Sequence, residues 1–193
     1  TWYIIDPVFV LTYNRRLPLG YHPDGLLVAS LSTLPAKASG YNEEEADSLH
    51  TMQNVDRLLR ELRAHPEVQS AAPLMTYAYP GSEGSSMTNL QYDTLNAEIN
   101  IFYFIPNSGY FETFGFEDME GNTLEYLDKM NFQDKEICVT GDLLPNAQIG
   151  ETWIGKQVYE AYNSDSTFYR IKAMTRKVRS RSFEQGKPSM FKP

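Results

Sequence analysis

The sequence predicts an α+β fold: a βαβ-like layer with a second, β-rich lobe inserted into it. Three observations carry this. A nearly continuous apolar run over residues 25–31 precedes one long amphipathic stretch from about 43 to 64. After residue 85 the apolar pattern changes to short runs of strand length. Clusters rich in Gly, Pro, Asn and Ser separate the runs.

Taken in order, residues 24–34 read as the first strand, apolar enough to be covered on one or both faces. Asn42 then offers an N-cap, with Glu45 three residues on to complete a capping box. Leu49, Met52, Val55, Leu59 and Leu62 recur at helical spacing, and Leu58 widens the stripe. Arg57, Arg60, Arg63 and His65 gather towards the negative end of this helix, and Pro66 stops it. Its apolar face is expected to pack on the preceding sheet. Residues 68–76 read as the next strand and 79–86 as a loop. Strands follow at about 87–95 and 97–105. In the second, Ile99, Ile101, Tyr103 and Ile105 share one face, while Asn100, Phe102 and Phe104 share the other. The aromatic segment at 106–122 is expected to hold a short helix, with Tyr110, Phe111, Phe114 and Phe116 as core anchors and Gly115 and Gly121 allowing the bends. A short helix or ordered loop is expected over 123–130, a strand over 135–140 and a short helix or turn over 141–147. Strands at 156–162 and 168–174 complete the pattern, which weakens from Lys177 onward.

A chain of 193 residues with 41% hydrophobic and 13% aromatic content has material for a sizeable core. Residues 2–11 are apolar but are broken by Asp6 and Pro7 and too short to span a bilayer. The single cysteine, Cys138, excludes an intrachain disulfide and sits in an apolar strand, where a core role is expected. Net charge is -8, unevenly spread: residues from Arg170 onward carry +7 and the preceding chain -15. That acidic bulk argues against nucleic-acid binding. The basic tail is expected to pair chiefly with the acidic body, with an acidic partner or anionic headgroups as other uses.

No familiar chemistry is spelled out. His22 lies in a turn, His50 within the helix and His65 at its end, with no H-x-x-x-H spacing. Glu117, Asp118, Glu120, Glu125 and Asp128 form a carboxylate cluster, but their spacing matches no calcium loop. Phosphate loops and the G-x-S-x-G elbow are absent. The expectation is no catalytic, cofactor-binding or metal site.

Several segments, in order, carry a resemblance. They are Leu19-Gly20-Tyr21-His22-Pro23-Asp24-Gly25; Leu62-Arg63-Ala64-His65-Pro66-Glu67-Val68; Tyr110-Phe111-Glu112-Thr113-Phe114-Gly115-Phe116 with Glu120-Gly121-Asn122; Ile137-Cys138-Val139-Thr140; Trp153-Ile154-Gly155-Lys156-Gln157-Val158; and residues 168–178. Together they resemble the extracytoplasmic core domain of MacB/FtsX-like ABC transporter permeases, particularly the divergent versions of Bacteroidetes. Asn122 stands where that family usually has Arg, Thr140-Gly141-Asp142 replaces a common Asn-Glu pair, and Ala173 replaces a usual Gly.

The resemblance implies a non-enzymatic periplasmic domain of an inner-membrane protein, set between the first two membrane helices. It implies a porter-like α/β lobe made of 1–84 and 166–193 and an inserted β-rich lobe over 85–165. Residues 2–11 would then leave the first membrane helix. Residues 188–193 would be an early stop that exposes a sheet edge. Implied partners are a cytoplasmic ATPase subunit or domain, a periplasmic protein or lipoprotein, and a second permease copy. The implied role is transmission of conformational change, with Tyr79, Tyr92, Tyr110 and Tyr126 as candidate partner contacts. Two other readings stay open: a free-standing binding or adhesion module, and a hydrolase built on His22, Asp24 and the cluster near Asp118.

Overall fold

A computed structural model describes residues 12–13, 16–30, 34–43, 48–75, 79–82, 86–143, 152–162, 165–179 and 186–193. Among them the fold is mixed α/β, with few helices and one six-stranded sheet closed into a barrel. Strand β1 (Ser86–Tyr92) turns at Asp93, in the left-handed region at φ 52°, into β2 (Leu95–Tyr103). Register pairs Ser86 with Ile101 and Tyr92 with Leu95. The hairpin boundary therefore falls two residues earlier than the sequence spacing placed it. Strand β3 is Glu136–Thr140, and β4 (Gln157–Tyr162) pairs antiparallel with β5 (Asp165–Thr175).

A strand that the sequence pattern does not announce, β6 (Ser189–Lys192), completes the barrel. It lies parallel to β2 and antiparallel to β3, in the order β1-β2-β6-β3-β5-β4, and β1 closes on β4. Residues 188–193 thus seat an inner strand, which corrects the expectation of an exposed sheet edge. The division expected at 165/166 falls at the start of β5, and β5 and β6 close the same barrel as 86–162.

Period-2 alternation fills two cores. Leu90, Ala97, Ile99, Ile101, Ile137, Val139, Val158, Tyr169, Ile171 and Met190 point into the barrel, where Trp153 and Leu143 plug it. Phe102, Phe104, Cys138, Ala173 and Phe191 point outward and carry the second core. Register shifts between Ile137 and Cys138 against β5, and this bulge passes over Lys172. The shift turns Ala173 to the outer core although Ile171, two residues earlier, faces inward. Cys138 is buried, and that burial pushes its thiol pKa far up, so it is an inert core residue.

The N-terminal expectations need correction. Residues 24–30 form no strand: Gly25 turns at φ 81°, Leu26 donates its N–H to Pro23, and Leu27 is 96% exposed. An apolar run becomes a strand only where a neighbour pairs with it, and none does so here. Residues 31–33 lie outside the described residues, as do 1–11. Helix α1 (Ser48–Ala64) ends just before Pro66, as expected, while the proposed capping segment 44–47 is outside the described residues. The helix does not cover a sheet. Among its described side chains none joins either core, and Met52 is 70% exposed. Residues 68–75 are extended without a ladder, although Ala72 and Leu74 pack on the outer core. The βαβ-like layer is therefore absent among the described residues.

The basic tail pairs with the acidic body. Arg176 meets Glu117 at 2.7 Å, Lys177 meets Asp142 at 3.3 Å, Lys187 meets Glu98 at 2.8 Å and Lys192 meets Glu160 at 3.6 Å. Lys172 pairs with Glu136 across the bulge. These pairs are partly exposed, so each contributes no more than about 1 kcal/mol.

Candidate functional site

The outer core is organised by the segment after β2. Asn107 and Gly109 both take left-handed backbone, at φ 60° and 79°, and swing the chain into the short helix α2 (Tyr110–Phe114). No residue before the helix caps it with a side chain. The cap comes from Asp128, in a single 3-10 turn (Glu125–Lys129). Its two oxygens accept the N–H of Phe111 at 3.2 Å and of Glu112 at 2.8 Å. Burial raises the pKa of Asp128, while those backbone donors and the Arg63 charge oppose the rise. At the other end, Gly115 at φ 58° donates to Glu112, and Phe116 donates to Phe111. These two bonds form a Schellman motif. Its usual apolar contact is the ring pair Phe111–Phe116, with centroids 5.8 Å apart.

Around α2 the rings interlock. Phe104 meets Tyr110, Phe111 and Phe132 at 5.9, 5.1 and 5.1 Å, and Phe116 meets Phe191 of β6 at 4.9 Å. Such edge and offset contacts add specificity to a large apolar burial. The N-terminal segment joins the same cluster: Tyr21 meets Phe114 at 6.3 Å and Phe116 at 6.1 Å. The His22 N–H donates to Phe114 O at 2.9 Å, and the Arg179 N–H donates to Leu19 O at 3.0 Å. Gly20, at φ 80°, lies so close to Lys177 that a Cβ would overlap its carbonyl oxygen. Three segments far apart in sequence, 19–22, 110–116 and 176–179, thus meet at one place.

The residues of the hydrolase reading are arranged for structure. Nε2 of His22 lies 3.2 Å from Glu117 Oε1, while Glu117 Oε2 accepts from Arg176 at 2.7 Å. That histidine side chain is 64% exposed, and Asp24 is exposed and makes no side-chain bond with it. Asp118 does not face them. Its Oδ1 accepts the N–H groups of Glu120 and Asn122, and its Oδ2 accepts from the Asn122 amide. The Asn122 side chain first, and these backbone donors with it, hold the Asp118 pKa below its usual value. Among the described residues no group of three or more His, Cys, Asp or Glu is placed to hold a metal ion.

The four tyrosines separate. Tyr110 has no exposed surface, so contact with a partner through it is corrected to a core role. Tyr79 is half-buried and stacks on Phe114 at 6.4 Å. Tyr92 is half-buried, lies edge-on to Trp153 at 5.0 Å and sits beneath Lys156. Only Tyr126 of the four is exposed, at 53%. The sequence reading missed Asp128 as a cap and Arg63 as a connector. A carboxylate next to Leu127 and two residues before Met130 is the available signal for the first; the second carries none beyond its place at a helix end.

Comparison with protein-family models gives no match, and neither does comparison with curated proteins. Solved structures that are similar include two permease domains. One is the extracellular domain of the noncanonic ABC-type transporter YknZ from Gram-positive bacteria, at 13% identity and TM-score 0.39, covering 72% of this chain and 61% of that one. The other is a domain assigned to a permease protein of Porphyromonas gingivalis, at 17% identity and TM-score 0.41, covering 64% of this chain and 51% of that one. The chain thus spans a little over half the length of the structures it matches.

Proposed function

We propose that this chain is an extracytoplasmic domain of an ABC transporter permease, anchored in the inner membrane through the rest of its protein. On this reading it has no catalytic site of its own. ATP is hydrolysed by a cytoplasmic subunit or domain, two permease copies work together, and the domain carries their motion to a periplasmic protein, lipoprotein or substrate. Transmission of this kind needs packed bodies and joints in place of reactive side chains. Residues 1–84 form the part nearer the membrane, and the barrel of 86–192 forms the part that engages the periplasm.

The observation that supports this reading is the convergence of segments 19–22, 110–116 and 176–179. The motifs that resemble the permease family are separated in sequence, yet they pack as one joint: Tyr21 on Phe114 and Phe116, His22 on Phe114, and Arg179 on Leu19. The carboxylates that a hydrolase would need already serve turns, caps and ion pairs. No helix of the described residues is long and apolar enough to cross a membrane.

The test is excision of the whole barrel, 86–192, from the full-length membrane protein. A cut at 165 would leave β5 and β6 without partners. The expected result is normal membrane insertion with loss of ATPase-coupled transport or signalling. Unchanged coupled activity overturns the reading, as does a parent protein without paired membrane spans flanking this segment.

A further inference from the structure

Arg63, in the last turn of α1, makes three hydrogen bonds that no other side chain of that helix imitates. Its Nε and Nη2 donate to Ala71 O at 3.0 and 2.7 Å, and Nη2 also donates to Ser108 O at 2.7 Å. Ser108 opens the turn into α2, and its neighbour Gly109, at φ 79°, lies beside the guanidinium: a Cβ there would sit 3.9 Å from Nη2, in ordinary contact. Among the described residues, these are the only side-chain hydrogen bonds from α1 to anything beyond the helix. Among the described side chains, none of α1 belongs to either core or packs against it, whereas the following segment does, through Ala72 and Leu74. The helix is therefore held at its C-terminal end, by one planar fork that grips two carbonyl groups.

We propose that Arg63 is the latch of a movable arm: α1 swings about the 65–71 connection, and the guanidinium fastens it to the loop that starts α2. In the latched state the fork bridges Ala71 and Ser108; in the unlatched state it is solvated and the barrel is unchanged. A guanidinium suits this because it spans two acceptors at once. Its release opens the Ala71 carbonyl, on a half-buried residue, to water, while the carbonyl of buried Ser108 loses a partner, which favours the latched state. The latch stands on the geometry. Its use, passing displacement of α1 to the aromatic joint around Tyr110, rests on the transporter reading.

Two measurements on the 193-residue chain test it. Hydrogen exchange is read for α1 and for β2 and β3 in the native protein and in Arg63→Gln and Arg63→Lys. Losing a charged fork is expected to speed α1 exchange about 10- to 100-fold while the strands keep their protection. Arg63→Lys is expected between the two, since an ammonium keeps the charge but lacks the second nitrogen that also donates to Ala71 O. Spin labels at Gln53→Cys and Asn89→Cys, both exposed positions, report the arm-to-barrel distance; buried Cys138 stays unlabelled. One narrow distance is expected in the native protein and a second population in Arg63→Gln. Identical exchange and distance in Arg63→Gln overturn the latch, as does joint exchange of α1 with β2 and β3 in the native protein. If Arg63→Gln unfolds, Arg63→Lys carries the same two readouts. A latch that passes both tests in a full-length protein without ATPase-coupled activity leaves the arm standing and removes the transporter reading alone.

Discussion

Asp128 and Glu112 are joined by a hydrogen bond of 2.8 Å in which the carboxylate of one short turn accepts the backbone N–H of another. Together with the Phe111 bond it fixes helix α2 from outside, where the local sequence provides no cap. The arrangement makes a remote acid responsible for the geometry of the aromatic core.

Removing that cap has a predictable cost. Asp128→Ala is expected to lower stability by about 1–2 kcal/mol, read by chemical denaturation at neutral pH. Asp128→Asn keeps an acceptor oxygen and is expected to lose less.

The same residue gives a pH signature. Burial raises its pKa in the folded state, so the folded protein holds this proton more tightly than the unfolded chain. Its contribution is fully present below the unfolded value, about 3.9, and is lost as pH rises through the folded pKa. The stability of the native protein relative to Asp128→Asn should therefore fall as pH rises above about 4. A relative stability that rises over that range contradicts the burial of the carboxylate.

Two glycines at the joint should differ in cost. Both take positive φ, 80° at Gly20 and 58° at Gly115, which costs an alanine about 1–2 kcal/mol. At Gly115 the added Cβ meets the His22 side chain, 2.9 Å from Nδ1 and 3.2 Å from Cβ, and the exposed imidazole can turn aside by giving up its contact with Glu117. At Gly20 it meets the backbone carbonyl of Lys177, which cannot. Gly20→Ala is expected to lower the thermal midpoint more than Gly115→Ala, and the reverse order argues against the close approach of 19–22 to 176–179.

Phe191 joins the barrel wall to the aromatic cluster and is fully buried. Phe191→Ala is expected to cost about 3–5 kcal/mol. A chain ending at residue 187 should lose cooperative unfolding altogether, which a calorimetric trace will show.

Tyr110 and Tyr126 offer a paired control. Tyr110→Ala empties the centre of the ring cluster and should cost about 3–5 kcal/mol. Tyr126→Ala, at an exposed position, should stay within about 0.5 kcal/mol. Any loss of partner binding in the second variant is then a surface effect.

The strands of the barrel were legible where alternation is strong, as in Ile99, Ile101, Phe102 and Phe104, whose two faces enter two different cores. The end of α1 at Pro66 was legible from backbone chemistry. Residues 24–30 misled because their apolar character is that of a strand while their pairing is decided elsewhere. Strand β6 escaped because four residues, Ser189–Lys192, are too few for a period to register, and its place depends on β2 and β3. At the site, the aromatic anchors and turn glycines could be read from composition. Asp128 and Arg63 could not, since each acts on backbone groups brought near only by the tertiary fold.

The position of β6 between β2 and β3 also constrains how the chain reaches its native state. Hairpins β1–β2 and β4–β5 need only local contacts and can form as the polypeptide emerges. They can join through β1 and β4, and β3 can add to β5, but closure of the barrel waits for β6, because Met190 and Phe191 supply the seam between β2 and β3. During synthesis or export the growing chain therefore presents an open sheet, with the facing edges of β2 and β3 unpaired, until residue 192 emerges. That interval is when a chaperone has most to protect.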